Sequence, residues 1–314
     1  MKGHSIALDV KCWLIAVGCF LVGCSPSASD TSSLTILFTG DVLLDRGVRP
    51  VVEHKGIGYI FEEVSPIFRE ADAVVINLEC PLTDTISPVS KKFIFRADAR
   101  WTKDLKAAGI THAAMANNHT NDQGRRGLLA TAIHLNEAGI VPLGYGRTYE
   151  EQITPALIEK DGIKVALFNA TTLTIENWYR LDDRPGIAQP SEDELVDAIM
   201  GYHHRHPDTR IVVVLHWGME FQSSPSIRQR ALANKLSRAG ADAVIGHHPH
   251  VLQPIEMIDN MPVFYSIGNF VFDQKTEKSK ESMIAKLTFK GDGSIETDKI
   301  DVKIEGRRPR IVRN

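Results

Sequence analysis

Oxygen and imidazole donors recur along this chain in short clusters, each placed directly after an apolar, β-rich run. In order they close the stretches Leu34–Asp41, Ala73–Glu79, Thr111–His119, Ile211–His216, Ala243–His250 and Val263–Asn269. The donor types are Asp, Glu, Asn and His with almost no Cys. That set suits one or two divalent ions such as Mn²⁺, Zn²⁺ or Fe and not a thiolate-held structural zinc. The sharpest cluster is Gly246-His247-His248-Pro249-His250. With one residue between them, His248 and His250 can turn their rings to the same side of the strand exit and hold an ion. A solvated histidine loop is the other reading, and the preceding Ala-Val-Ile-Gly favours the metal. Asn118 offers an amide oxygen and His119 an imidazole for a departing oxygen, although Asn117-Asn118 also reads as a turn capping the helix that starts near Arg125. His216 alone would be a satisfied core histidine; beside two other histidine clusters it becomes a ligand. Asp41 and Glu79 are charges at the inner ends of strands, where an unpaired carboxylate is costly and a cation removes the cost.

For these clusters to act together, the elements carrying them must end at one edge. Parallel strands joined by helix crossovers do this, because residues beyond their carboxyl ends gather into one crevice. From Leu34 onward strands alternate with helical segments, the pattern of an α/β domain. Helices are predicted over Trp101–Ala108, Arg125–Ala138, Glu192–His206 and Ile227–Ala239, with Gly109, Gly139 and Gly240 as left-handed C-caps. Ile163–Asn169 reads as a buried strand, reached from Ala156–Asp161 through a tight Asp161-Gly162 turn. Met283–Lys290 and Ile295–Ile304 read as a hairpin across Gly291-Asp292-Gly293. Thr174–Pro190 has no period and reads as a surface loop able to overhang a site. No internal repeat, heptad or second domain boundary is visible.

The chain has 314 residues, 43% hydrophobic and 24% charged, enough for one large α/β domain or two small ones. The formal charge of -3 is spread evenly, which argues against a nucleic-acid groove and leaves anions to local cations or a metal. Residues 1–24 read as a lipoprotein signal peptide. Lys2 and Lys11 precede an apolar run, Trp13–Val22, too short to span a bilayer comfortably, and Leu21-Val22-Gly23-Cys24 resembles a lipobox whose Cys24 carries diacylglycerol. Residues 25–33 would be a flexible Ser/Ala/Thr-rich tether and 34–314 the working domain. The expected location is the bacterial cell envelope, lipid-anchored to a membrane, with the domain outside the cytoplasm. A plain N-terminal anchor or an uncut signal is the alternative. Cys12, Cys19 and Cys24 lie in the leader, so the mature domain keeps Cys80 alone and has no internal disulfide. Cys80 reads as a small buried residue.

Gly40-Asp41-Val42-Leu43-Leu44, Asn77-Leu78-Glu79, Asn117-Asn118-His119, His216-Trp217-Gly218, Gly246-His247-His248-Pro249-His250 and Gly268-Asn269-Phe270 together resemble the motif series of the CapA family of capsule synthesis proteins. This is the poly-γ-glutamate synthesis group within the calcineurin-like metallophosphatases. The similarity runs from about Leu34 to Asp273; the ordered set is specific, and no single piece is. The resemblance implies a four-layer α/β/β/α metallophosphatase-like sandwich with a two-metal centre. On it, Asp41 binds the first metal, Glu79 stands at the bridging position, Asn118, His216 and His248 bind the second metal, and His250 returns to the first. His119 is then the acid or transition-state stabiliser. Two positions depart from the family pattern: the usual Asp-x-His is Asp41-Val42-Leu43, and the bridging Asp is the longer Glu79. The implied function is a metal-dependent hydrolase acting on a phosphoester or on an anionic polymer such as poly-γ-glutamate. The alternative is a non-catalytic polymer-binding or export component, with capsule-assembly membrane proteins as partners. For substrate anions the candidates are Arg46, close after the first motif, and Lys92 and Arg96, which would alternate with Ile94 on one strand face; an exposed basic edge is the competing reading. Glu220 and Asn269 are expected behind the ligands, orienting them.

Overall fold

Alternate side chains of the central strands enter different cores, and this alternation builds the architecture. The computed structural model describes Met1 and residues 32–313. The expected signal peptide, Cys24 and tether residues 25–31 lie outside the described residues. In chain order the strands are β1 (Ser33–Val42), β2 (Ala73–Leu78), β3 (His112–Ala114), β4 (Val141–Leu143), β5 (Tyr145–Gly146), β6 (Ala156–Lys160), β7 (Ile163–Thr171), β8 (Gly186–Ile187), β9 (Thr209–His216), β10 (Ala243–His247), β11 (Ile255–Ile258), β12 (Met261–Phe264), β13 (Asn269–Val271), β14 (Glu281–Lys290), β15 (Ile295–Glu305) and β16 (Arg308–Ile311). The α-helices are α1 (Arg49–Lys55), α2 (Ile57–Phe61), α3 (Ser65–Glu70), α4 (Trp101–Ala107), α5 (Gly124–Glu137), α6 (Tyr149–Ile153), α7 (Glu192–Arg205) and α8 (Ile227–Arg238).

One sheet has the order β16-β15-β14-β1-β2-β3-β4, with β13 beside the end of β1; the other runs β11-β12-β10-β9-β7-β6. The neighbours β1, β2, β3 and β4 are parallel, as are β7, β9, β10 and β12, and antiparallel strands close the edges. Leu34, Ile36 and Phe38 of β1 meet Val165 and Leu167 of β7 and Val212 and Val214 of β9 between the sheets. The intervening residues point outward: Leu37, Val74 and Ile76 join Phe61, Phe68, Leu105 and Leu128, while Ile211, Val213 and Val244 join Leu195, Ile199, Leu232 and Leu236. Helices therefore cover the outer face of each sheet, giving the expected four-layer α/β/β/α sandwich.

The four predicted helices form within one or two residues of their expected ends, and Gly109, Gly139 and Gly240 follow them at φ 106°, 74° and 98°. β6 and β7 turn through Asp161 at φ 49° and Gly162 at φ 83°, the two left-handed positions a two-residue hairpin demands. β14 and β15 form the expected hairpin, and β16 extends it. Two expectations are corrected. Residues 91–96 form no strand, because their backbone donors are taken by side chains: Phe95 N donates to Asp122 Oδ2 at 2.7 Å and Arg96 N to Asp45 Oδ2 at 2.8 Å. Thr174–Pro190 is not loop throughout, since β8 pairs with β5 and Trp178 is buried, its ring 4.2 Å from the Arg125 guanidinium. Among the described residues no helix is long and apolar enough to cross a membrane.

Candidate metal centre

Parallel pairing sets the donors side by side. Asp41 is in register with Asn77 of β2 and Asn269 of β13, and His216 with His247 of β10. The sheets touch at this edge. Asn77 Nδ2 donates to Asp41 Oδ1 on its own sheet at 2.8 Å and sits 3.3 Å from His216 Nδ1 on the other. His247 Nε2 lies 3.0 Å from Thr39 O, a second tie between sheets. Within each sheet the strands crowd here as well: a Cβ on Gly40 would lie 2.1 Å from Gly268 O, and one on Gly246 2.0 Å from Tyr265 O. Past β10 the chain turns with His248 at φ 96° and His250 at φ 57°. Left-handed backbone at non-glycine residues costs about 1–3 kcal/mol each and clusters at functional sites.

The structure brings all six sequence-predicted ligands together. Glu79 Oε1 lies 3.6 Å from His250 Nε2 and 4.0 Å from His216 Nε2. Asp41 Oδ2 is 3.1 Å from His250 Nδ1, and Asn118 Oδ1 is 2.8 Å from His216 Nε2. The His216 and His248 rings are 4.9 Å apart, those of His248 and His250 6.0 Å. One donor atom each from Asp41, Glu79 and His250 fall within 4.8 Å of one another, as do donors from Glu220, His248 and His250. Asp41 and Glu79 are fully buried, yet among the described residues both Glu79 oxygens and His248 Nδ1 have no hydrogen-bond partner, and Asp41 Oδ2 has only its 3.1 Å contact with His250 Nδ1. Buried charges normally find partners. Carboxylate and imidazole lone pairs left bare around one point have the chemistry of a divalent-cation cage, so these residues fit the metal that the sequence implies.

The electrostatics agree. Burial, helped by Asp41, Glu220 and Asp122, pushes the Glu79 carboxyl far above the usual range against the pull of His250. Burial opposes ionisation of Asp41, but His250, His247 and Asn77 more than offset it and hold its carboxyl low. Burial and the neighbouring imidazoles keep His216 well below its ordinary value and bring His248 down to about 3. His250 is the exception: burial is outweighed by Glu79 and Asp41, which raise it to about 9. The site thus favours proton uptake at Glu79 and at His250, and a divalent cation would compete with protons there.

His119 flanks the cluster. Its Nδ1 is 2.8 Å from Asp122 Oδ2, its ring stacks on Phe95 with centroids 4.2 Å apart, and burial lowers its basicity despite Asp122. Asn269 stands behind His250, its Oδ1 2.9 Å from His250 Nδ1 and its Nδ2 donating to His250 O at 3.2 Å. Glu220 is exposed and belongs to a donor triad instead of lying behind one. Arg46 pairs with Asp273 at 2.8 Å, 5.7 Å from the Phe95 ring that carries His119. Lys92 is exposed, 5.1 Å from the Phe93 ring, and the Arg96 guanidinium donates to Thr83 O at 3.3 Å. Cys80 is buried, accepts from Leu44 N at 3.4 Å, and has its thiol pushed up by burial. Sequence reasoning missed Asp122 and Lys91. Asp122 is fully buried, and Lys91 Nζ binds its Oδ1 at 2.6 Å and also the carbonyl of Asn118. The spacing His119-x-x-Asp122 was the available signal for the first; nothing local marked the second.

With this geometry established, comparison with known proteins adds the following. The model of the bacterial capsule synthesis protein PGA_cap matches residues 35–274. The PGA biosynthesis protein CapA of Bacillus subtilis is 34% identical over 274 residues, covering 86% of this chain and 72% of that protein. The capsule biosynthesis protein CapA of Bacillus anthracis is 30% identical over 289 residues, covering 90% and 70%. Among solved structures, the NAD nucleotidase NadN of Haemophilus influenzae superposes with a TM-score of 0.54 at 13% identity, over 90% of this chain and 54% of that one. At that identity the likeness concerns the fold, which is that of the metallophosphatase-like proteins.

Proposed function

The chain belongs to the bacterial capsule synthesis family, and from that premise we propose that it is an envelope-anchored, metal-dependent hydrolase that processes an anionic capsule polymer such as poly-γ-glutamate. The observation that carries this reading is the convergence of Asp41, Glu79, Asn118, His216, His248 and His250 with buried lone pairs left unpartnered. Asp41, Glu79 and His250 would hold one divalent ion, and Asn118, His216 and His248 would hold the second. Such ions supply Lewis acidity, polarising a substrate oxygen and acidifying water. The chain's own groups do the rest. Asp122 accepts from Nδ1–H of His119, so Nε2 gives a proton to the leaving oxygen from the imidazolium form, which the Asp122 carboxylate supports against burial. Phe95 fixes the plane of that ring and Lys91 fixes Asp122. Arg46 and Lys92 at the rim draw in phosphate or carboxylate groups. Lipidation at Cys24 keeps the domain at a bacterial membrane, outside the cytoplasm, beside the membrane proteins that assemble capsule.

The test is hydrolysis by purified, metal-loaded protein of a phosphoester panel and of γ-glutamyl polymers. His119→Ala is expected to keep its metal and lose about 10²–10⁴-fold in rate, the usual contribution of a general acid. Metal uptake with every substrate left intact would replace the hydrolase with a polymer-binding or export component. Cys24→Ser is expected to release the protein from membranes, and unchanged attachment contradicts the lipid anchor.

A further inference from the structure

We infer that Glu220 is a direct ligand of the metal centre, joining it through the His248 and His250 side and adding a carboxylate oxygen that favours manganese-like ions; this rests on the metal reading above. A donor oxygen of Glu220 lies within 4.8 Å of ring nitrogens of both His248 and His250, and His250 also closes the triad with Asp41 and Glu79. The two triads therefore overlap at one imidazole. His250 has a single nitrogen free for an ion, because Nδ1 is held by Asn269 Oδ1 at 2.9 Å. Strand β1 has nothing further to offer beside Asp41, since Val42, Leu43 and Leu44 are buried in the apolar core.

The loop that carries Glu220 is shaped to deliver it. Gly218 bends the chain at φ 87°, where a Cβ would also meet the Gln229 side chain at 2.8 Å. Phe221, a bulky residue, is held at φ 62° while its N–H donates 2.8 Å to the carbonyl of Pro249, between the two ligand histidines. That strain, about 1–3 kcal/mol, buttons the Glu220 backbone onto the histidine turn. Among the described residues the Glu220 carboxylate makes no hydrogen bond or ion pair, so nothing else uses the result. The bare oxygens of Glu79, fully buried at the same centre, are the independent sign that a cation belongs there. A carboxylate oxygen from Glu220, added to those of Asp41 and Glu79, shifts the donors of the centre toward hard, oxygen-preferring ions.

The experiment titrates Mn²⁺, and separately Zn²⁺, into metal-stripped full-length protein in detergent, comparing wild type with Glu220→Ala and Glu220→Asp. Glu220→Ala is expected to weaken Mn²⁺ binding about tenfold or more, to weaken Zn²⁺ less, and to leave the metal-free melting temperature unchanged, because the side chain has no other partner. Glu220→Asp recovers part of the loss. Isotherms of wild type and Glu220→Ala that superimpose overturn the inference and leave the metal centre standing. A wild-type protein that takes up neither ion overturns both.

Discussion

Carboxylates stand at both ends of the central strands, and the two ends treat them differently. At the amino edge, Asp72 immediately precedes β2 and Asp242 immediately precedes β10. Asp72 accepts Thr35 N at 2.8 Å and Lys160 Nζ at 2.7 Å; Asp242 accepts Ile211 N at 2.7 Å and Arg210 at 3.0 Å. At the carboxyl edge Asp41 and Glu79 are buried more deeply, yet among the described residues both Glu79 oxygens lack a hydrogen-bond partner and Asp41 Oδ2 meets only a ring nitrogen of His250. The same residue types serve opposite ends: satisfied carboxylates stitch strands together, and unsatisfied ones leave donor oxygens with the chemistry of a cation cage. Burial alone would predict more partners at the carboxyl edge, and partner accounting finds fewer.

The sharpest way to break this contrast is to remove the carboxylates of that edge. Asp41→Asn with Glu79→Gln is expected to cut metal affinity by more than the roughly 10–100-fold that outer partners of a ligand contribute. Elemental analysis of the purified variant checks it, and retained metal would erase the distinction between the edges. Acidity probes the same groups. His250 keeps its proton up to about 9, so a cation must displace that proton, and Mn²⁺ affinity should rise by about tenfold per pH unit between pH 6 and 8 and level off near 9. A flat profile would mean that His250 is not a ligand. At the other edge the outcome inverts. Asp242→Ala should lose about 2 kcal/mol of stability, since it strips a charged acceptor from Ile211 N and Arg210, with metal content unchanged. Asp72→Ala should cost less, about 1 kcal/mol, because its carboxylate is more exposed than that of Asp242, 27% against 18%. Denaturant titration ranks the two.

What could be read in advance follows the same division. Ligands at strand ends were legible because apolar runs fix where strands stop, and parallel pairing then sends Asp41, Glu79, His216 and His248 to one edge. The main helices and both hairpins were legible from period, capping glycines and Asp161-Gly162. Groups on irregular backbone were not. Asp122 gathers Lys91, Phe95 N and His119 through a loop whose path is set by those bonds themselves, and local sequence carries no period for it. The same blindness turned residues 91–96 into a strand and singled out the exposed Lys92 while passing over the buried Lys91. Glu220 was expected behind the ligands because its position depends on left-handed backbone at Phe221, a residue that rarely adopts it. Helices α1, α2 and α3 are too short, at 7, 5 and 6 residues, to show a periodic signal.

The most direct test of the account is anomalous diffraction from crystals of the protein grown with Mn²⁺ and recorded at the manganese edge. Peaks within bonding distance of the Asp41 and Glu79 carboxylates and of the His216 and His248 rings are the predicted result. Density with no anomalous peak among those side chains, in crystals where manganese binds elsewhere on the surface, would contradict it.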